Sequence, residues 1–357
     1  MTAQINSAPA AAGDGPAGVF TKRRNKRIIT FIVLLGLLVA TTLLSAVLGQ
    51  YYVPVKDLIP ILASGPNGGD MTGSVVWNIR LPRIALGFLV GACLGVAGTL
   101  MQAVFANPLA EPSVIGVTSG AGVGAALMIV FNVTVFGTFT IPLAAFISAI
   151  VVTLVIYQLA RSRGRVAVVN LVLTGIAVNA VCGAIISFLV YLAPTTNREA
   201  IIFWQMGSLN GSQWEHVWVV APIAAVGFLI ARGLGGQLDT LALGERAAKH
   251  TGIHVSRLRV VAIASSAVLT AGAVAFAGLI GFVGLIIPHL LRSVVGPENR
   301  ILLPASALAG AVLIGLADLL ARTLLPFVDL PIGIFTAFIG GPTFFILLRR
   351  MIRKGIH

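Results

Sequence analysis

The polar side chains that interrupt long apolar stretches are the residues of this sequence whose types could do chemistry. Gln102 and the segment 107–112, NPLAEP, place an amide, an Asn-Pro break and an isolated glutamate at the end of an apolar run. Asp318 and Arg322 lie four residues apart within another such run, and His289 lies in a third. Charged residues are unfavourable in lipid and usually face a protein interior or a water-filled cavity. These residues therefore predict either buried structural contacts or the lining of a solute pathway.

Three kinds of chemistry find no support in the residue spacing. A P-loop requires Gly-Lys followed by Ser or Thr, and no glycine precedes any of the five lysines. The His, Cys and acidic residues show no metal-site spacing, and no nucleophile stands beside a base. The cysteines, Cys93 and Cys182, both lie in apolar runs and are expected to be packing residues. We therefore expect no catalytic site and no metal or cofactor bound directly, so that ATP and Mg²⁺, if used, are held by another polypeptide.

The composition predicts an all-α integral membrane protein. Of the 357 residues, 57% are hydrophobic and only 10% are charged, an average that no soluble fold explains. About 20 apolar residues cross a bilayer as a helix. On this basis the sequence predicts ten transmembrane helices, the eighth of them short, over residues 28–49, 83–106, 114–131, 141–160, 168–192, 214–231, 258–281, 282–291, 304–326 and 332–348.

The positions of the basic residues predict the topology. The net charge is +13, but the cations lie in short clusters between apolar runs, which favours membrane orientation over nucleic-acid binding. With ten spans and an inner N-terminus, 19 of the 24 Lys and Arg residues fall in inner segments. We therefore expect both termini in the cytoplasm, a disordered basic tail over residues 1–27 and one membrane domain over residues 28–357.

Two patterns predict contacts with neighbouring helices or partners. Gly87, Gly91, Gly95 and Gly98 recur every three or four residues, a spacing that lets another helix approach closely in lipid. The inner segment 238–253, LDTLALGERAAKHTGI, alternates apolar and charged residues. It is either a short amphipathic helix at the membrane surface or a docking helix for a soluble partner.

Three arginines on the outer side need anionic partners. Arg80 and Arg83 flank a proline before the second span, and Arg322 lies at the outer end of the ninth. Phosphate headgroups would satisfy them, and so would acidic side chains of an extracytoplasmic protein, since the guanidinium fork binds carboxylates in a bidentate manner. Asp318 faces Arg322 at the i, i+4 spacing of one helix and is predicted to form a neutralising pair with it.

Seven segments together resemble the FecCD-type permeases, the ten-helix membrane subunits of ABC importers for iron–siderophore, haem and cobalamin. The resemblance covers roughly residues 28–350 and keeps the order of the family's motifs. It rests on RLPR (80–83), GTLMQAVFANPLAEPSVIGVTSGAGVGA (98–125), MGSLNG (206–211), LALGERAAKHTGI (241–253), GFVGLIIPHLLRSVVG (281–296), ADLLAR (317–322) and LPIGIFTAFIGGPTFFILLRR (330–350).

The resemblance implies a type II ABC importer permease in a bacterial cytoplasmic membrane. The implied partners are a second permease, identical or paralogous, a cytoplasmic ABC ATPase dimer and an extracytoplasmic siderophore-binding protein. Binding-protein docking would fall on Arg80, Arg83 and Arg322. ATPase coupling would fall on Leu241, Ala242, Leu243, Gly244, Glu245, Arg246 and Gly252.

The solute pathway is expected along the fifth and tenth spans. The resemblance assigns an inner gate to Asn107, Pro108 and Leu109 and a second gate to the segment that holds Val168 and Val169, which is apolar here and could close by dewetting. The fifth span would line the pathway with Asn170, Thr174, Asn179 and Ser187. The expected cargo is an iron(III)–siderophore complex, with haem or cobalamin as alternatives. An ion-coupled secondary transporter is a different alternative, but it would usually carry more membrane acids than Asp318.

Overall fold

The computed structural model describes residues 16–66, 70–162, 165–166 and 168–353. Helices account for most of them, and the single β-pair is two residues on each side, β1 (Arg161–Ser162) and β2 (Arg165–Val166). The α-helices are α1 (Pro16–Val47), α2 (Val55–Ser64), α3 (Met71–Ser74), α4 (Leu81–Phe105), α5 (Val117–Val130), α6 (Thr140–Ala160), α7 (Val168–Leu192), α8 (Thr195–Met206), α9 (Trp214–Leu241), α10 (Glu245–His250), α11 (Val255–Ala277), α12 (Val283–Val295), α13 (Asn299–Thr323) and α14 (Ile332–Arg353).

Ten of these helices follow the predicted spans in order. Among the described residues, eight helical segments are long and apolar enough to cross a membrane, and α5 and α12 are shorter apolar helices. The all-helical fold is therefore confirmed. The short eighth span is α12, which a non-helical break over residues 278–282 separates from α11.

The N-terminal prediction is wrong for the part that the structure describes. Residues 16–27 belong to α1 instead of a disordered tail, while residues 1–15 lie outside the described residues. Lys and Arg are good helix formers, and the helix gains a long-range anchor at Arg27. Its Nε donates to Val295 O at 2.9 Å, and its Nη2 lies 2.6 Å from Glu298 Oε1. This hydrogen bond from Arg27 lowers the pKa of the Glu298 carboxyl.

The inner segment between α9 and α11 is shorter than predicted. Helix α9, the sixth predicted span, continues to Leu241 instead of ending at residue 231, and the following helix, α10, has only six residues. Two buried leucines, Leu238 and Leu241, hold the extension against the core. Asp239 Oδ1 also accepts hydrogen bonds from the backbone N (2.5 Å) and the side-chain amide (3.0 Å) of Asn299, which join α9 to the start of α13.

The segment between the first two predicted spans is folded. It contains α2, α3 and a π-helical turn over Val75–Arg80 that leads directly into α4. Trp77 Nε1 donates to Ile61 O at 2.9 Å, and Trp214 Nε1 donates to Trp77 O at 2.8 Å. These bonds tie this segment to α9.

The glycine-rich face of α4 is the centre of the helix bundle, in contact with α9, α11, α12 and α13. A Cβ on Gly91 would lie 2.1 Å from Gly310 O of α13, and one on Gly98 would lie 1.9 Å from Gly284 O of α12. Gly95 approaches the carbonyl of Ser306 in the same way. The predicted close approach of helices is therefore confirmed.

This packing gives a direct stability prediction. Gly91→Ala should lower the free energy of unfolding by about 1–3 kcal/mol, because the added methyl group must displace the α13 backbone. The matched control is Gly183→Ala on α7, where nothing lies within 4 Å of the added Cβ. That change should be neutral or stabilising by up to about 1 kcal/mol. Thermal unfolding midpoints of the two purified variants test this, and equal midpoints would contradict the packing argument.

Candidate functional site

A buried ion-pair cluster joins the outer ends of α4 and α13. Arg83 Nε donates to Asp318 Oδ1 at 2.9 Å, and Arg83 Nη1 donates to Asp329 Oδ2 at 2.8 Å. The Nε atom of Arg322 lies 3.6 Å from Asp318 Oδ2. The predicted Asp318–Arg322 pair is therefore present, but Asp318 is shared with Arg83. Sequence reasoning missed Asp329, whose only signal was its place just before the LPIG segment.

The other contacts of this cluster run to the C-terminal end of α1 and to Tyr51, which follows it. Arg80 donates to the carbonyls of Ala46, Val47 and Tyr51, and Arg322 Nη2 donates to Ser45 O at 2.5 Å. The three arginines are only 4–7% exposed. In this conformation the chain supplies carboxylate or carbonyl contacts to all three, while Arg83 Nη2 and Arg322 Nε have no hydrogen-bond partner among the described residues. Docking of an extracytoplasmic protein on these guanidinium groups stays a prediction.

The NPLAEP segment (107–112) forms a turn that contacts α12, the short helix that follows the break over residues 278–282. Ala106, the residue directly after α4, lies in the left-handed region, with φ 48°. The backbone N of Leu109 donates to Asn107 Oδ1 at 2.9 Å. His289 of α12 is hydrogen-bonded to the backbone carbonyl of Pro108. The turn thus has a defined shape, and Asn107 remains exposed at its tip.

The side chains of Gln102 and Glu111 form hydrogen bonds with residues at both ends of α12. Gln102 Nε2 donates to Leu285 O at 3.0 Å, and its Oε1 accepts from Arg292 Nη2 at 3.3 Å. Glu111 Oε1 accepts from the backbone N of Phe282 at 3.0 Å, a residue with φ 68° at the start of α12. Unpaired N–H groups at a helix start need such acceptors. Both polar side chains therefore have structural contacts, one of the two alternatives that the sequence left open.

The four polar residues assigned to the pathway on α7 have different environments. Asn179 is held inside the chain, since its Nδ2 donates to Ser113 O at 3.2 Å and its Oδ1 accepts from Ser119 Oγ at 2.5 Å. Ser187 is exposed, while Asn170 and Thr174 are partly exposed. Most of the remaining α7 surface is apolar and unpacked. This helix therefore has a face free for lipid, for cargo or for another copy.

The inner end of the bundle brings α10 next to the proposed second gate. Glu245 forms ion pairs with Arg259 of α11 and, at 3.8 Å, with Lys249. A cavity of about 220 Å³ lies beside them. It is lined in part by Val104, Tyr157, Val168, Leu171, Glu245 and Arg259.

The predicted coupling and gate residues separate into buried and exposed members at this end. Val168 lines the cavity, whereas Val169 is 66% exposed and is not among its lining residues. Leu241 is buried. Leu243 is 78% exposed, in the turn between α9 and α10. Gly244 follows it with φ 114°. An apolar side chain so exposed at a turn is the strongest candidate contact for a partner on this face.

An aromatic cavity of about 330 Å³ lies near the opposite end and was not predicted. Its lining includes Phe203, Trp204, Asn210 and Phe276. The ring of His216 packs against Phe139 and Phe276, with centroid distances of 5.6 Å and 5.2 Å. The only sequence signal was the aromatic segment 203–214. Among the described residues, no three His, Cys, Asp or Glu side chains are grouped as a metal site requires.

Comparison with known proteins places this geometry among transport proteins. The family model of the FecCD transport family matches residues 37–350. A solved structure described as an inward-facing conformation of a metal-chelate type ABC transporter has a TM-score of 0.79 and 34% identity, over 90% of this chain and 99% of that chain.

The names of three curated relatives refer to three different cargoes. The cobalamin import system permease protein of Halobacterium salinarum is 43% identical over 77% of this chain and 73% of its own length. The hemin transport system permease protein of Yersinia pestis is 37% identical over 77% and 83%. The Fe(3+)-citrate import system permease protein of Bacillus subtilis is 34% identical over 94% and 98%.

Proposed function

This chain belongs to the FecCD transport family of ABC importer permeases, and we propose that its cargo is an iron(III)–siderophore complex. The observation that carries the proposal is the aromatic cavity, because the match to the iron(III)-citrate permease along nearly the whole of both chains is equalled by a vitamin B12 import permease of Salmonella. The aromatic cavity with Phe203 and Trp204 supports it, since flat apolar side chains can contact a bulky chelate without binding it tightly. A wall that binds weakly at many points also permits release.

The power source in this proposal is a separate cytoplasmic ATPase dimer, which holds the ATP and Mg²⁺. The docking surface is the turn and helix that contain Leu241, Ala242, Leu243, Gly244, Glu245, Arg246 and Gly252, with Leu243 as its most exposed apolar residue. The ion pair from Glu245 to Arg259 links this surface to α11. Movement of α10 would thereby reach the cavity at Val168.

The pathway lies between this permease and a second one, identical or paralogous, with the free face of α7 toward the partner. Asn170, Thr174 and Ser187 are the polar groups offered to the cargo. Asn107, Pro108 and Leu109 at the inner turn form the gate. The extracytoplasmic binding protein docks at the outer ends of α4 and α13. Because Arg80, Arg83 and Arg322 are buried there, docking by their guanidinium groups requires those ends to separate.

Cobalamin is the second candidate cargo. The relative from Halobacterium salinarum with cobalamin in its name is 43% identical over 77% of this chain, and a vitamin B12 import permease of Salmonella is 35% identical over 94% of this chain and 99% of its own length. A test must therefore include both cargoes in one strain.

Deletion of the gene should abolish accumulation of radioactive iron supplied as a ferric siderophore and leave cobalamin uptake unchanged. A panel of hydroxamate, catecholate and citrate chelates, with hemin as a further arm, identifies the class. The control is the same strain complemented with the intact gene. Loss of cobalamin uptake with normal uptake of every iron chelate would overturn the cargo assignment. Uptake by proteoliposomes that contain this chain alone and an ion gradient would overturn the ATP-driven mechanism.

A further inference from the structure

We propose that a polar groove between α9 and the start of α13 binds the phosphate group of an anionic phospholipid. The groove has a volume of about 480 Å³. Arg232, Gly236, Gln237 and Thr240 line it from α9, and Arg300 lines it from α13. Thr251 and Ile253, on either side of Gly252 of the proposed ATPase-docking surface, close it from the turn after α10. This site is separate from the proposed cargo pathway, and its argument does not depend on the identity of the cargo.

The depth of the groove matches that of a lipid headgroup. A helix rises 1.5 Å per residue, so Arg232 lies about 27 Å along α9 from Trp214, nearly the thickness of the hydrocarbon core. Trp214 and the 70%-exposed Trp218 stack at the other end, with a centroid distance of 6.3 Å. Tryptophans of this kind mark one membrane interface. Arg232 therefore lies at the opposite interface, which is the cytoplasmic one in the predicted topology.

The two arginines of the groove have no anionic partner within the part of the chain that the structure describes. Arg232 and Arg300 are both exposed, and neither has a hydrogen bond or an ion pair there. No Asp or Glu is among the residues that line the groove. Of the acids nearby in sequence, Glu298 pairs with Arg27, and Asp239 accepts hydrogen bonds from Asn299. The groove therefore has two guanidinium groups without an ion pair among the described residues.

The floor of the groove lets a guanidinium group lie flat against the helix. A Cβ on Gly236 would come within 2.2 Å of Arg300 Nη2, so the guanidinium group packs directly against the backbone of α9 at this glycine. The Thr240 hydroxyl donates to Gly236 O at 3.1 Å and keeps its oxygen lone pairs, which would repel an anion. The donors available to a phosphate are consequently the two arginines and the Gln237 amide, and arginine forks match phosphate geometry.

A phospholipid is favoured over a soluble partner by the surrounding charge. Arg23 and Arg27 at the inner end of α1 lie close to Gly296, on the chain segment that leads into α13. Basic clusters next to the inner end of a membrane helix attract anionic lipids. The groove adds a shaped binding site to that diffuse attraction.

The test is lipid titration of the full chain in a neutral detergent, read by native mass spectrometry. Phosphatidylglycerol should bind the wild type more tightly than phosphatidylcholine does, and Arg232→Gln/Arg300→Gln should weaken phosphatidylglycerol binding about 30-fold, given the typical contribution of each basic residue. The control is Arg349→Gln, which removes an exposed arginine of α14 away from the groove and should change binding less than twofold.

Three results would overturn the proposal. The first is equal phosphatidylglycerol binding by the double variant and the wild type. The second is an equal loss in Arg349→Gln, which would mean general charge attraction. The third is loss of ATPase association in the double variant with lipid binding unchanged, which would make the groove a protein interface. Competition by millimolar inorganic phosphate distinguishes the anion source, because a lipid site should resist it while a site for free phosphate should not.

Discussion

Replacing Asp318 by asparagine is expected to lower the free energy of unfolding by about 3–5 kcal/mol, the range for breaking a buried ion pair by removing one partner. Asp318 is 2% exposed and contacts both Arg83 and Arg322. Without its charge, Arg322 keeps only its hydrogen bond to Ser45 O among the described residues, and Arg83 keeps Asp329. The variant leaves one buried cation without a counter-charge.

A double-mutant cycle separates this effect from simple loss of packing. Asp318→Asn/Arg322→Gln removes both charges of the uncompensated pair, so it should be more stable than Asp318→Asn alone. Asp329→Asn is the matched control, because its carboxylate is 21% exposed and Arg83 keeps Asp318. That control should lose less than the Asp318 variant. Thermal and denaturant unfolding measure the purified wild type, Asp318→Asn, Arg322→Gln, the double variant and the Asp329→Asn control. A double variant no more stable than Asp318→Asn would refute the counter-charge argument.

The features that sequence predicted well depend on residues near one another in the chain. Hydropathy located ten apolar helices in order, because a bilayer imposes a similar length on every span. The glycine periodicity of α4 identified its packing face, since only glycine permits the contact between Gly91 and Gly310. In both cases the physical constraint acts on a short stretch of sequence.

The features that sequence missed depend on partners far along the chain. The extension of α9 past Arg232 is held by Asp239 and Asn299, sixty residues apart. The early start of α1 involves Arg27 and Glu298. The sequence predicts that the sixth span ends before Arg232 and that the basic residues before Ile28 belong to a disordered tail. In both, a counter-charge or hydrogen-bond partner from another helix makes the helical continuation favourable.

The partners of the outer arginines also lie far along the chain. The sequence indicated that Arg83 and Arg322 need carboxylates or phosphates, and the chemistry of the partner was right. The structure supplies that partner within the chain, from Asp318 and Asp329. Pairs separated by more than 200 residues cannot be recognised from local spacing, whereas the i, i+4 pair of Asp318 and Arg322 could be.

Leu243→Glu is expected to abolish ATP-driven uptake by releasing the ATPase. Leu243 is 78% exposed in the turn before α10 and makes no part of the buried core. Central apolar anchors of an interface commonly contribute at least about 2 kcal/mol when truncated, so the affinity for the ATPase should fall about 30-fold or more. The stability of the permease should not change, because the substituted side chain is already in water.

The experiment is co-purification of the ATPase with a tagged permease, together with the unfolding midpoint of each variant. Phe327→Glu is the matched control, because Phe327 is 91% exposed in the segment that follows α13 at the opposite end of the bundle. It should retain the ATPase fully. Glu245→Arg is a less specific probe, since it also breaks the ion pair with Arg259 and reverses the charge beside the inner cavity. Normal ATPase recovery with Leu243→Glu would remove the turn from the docking surface. Loss of the ATPase with Leu243→Glu, but not with Phe327→Glu, would show that an exposed leucine, and not the adjacent charges, binds the ATPase to the permease.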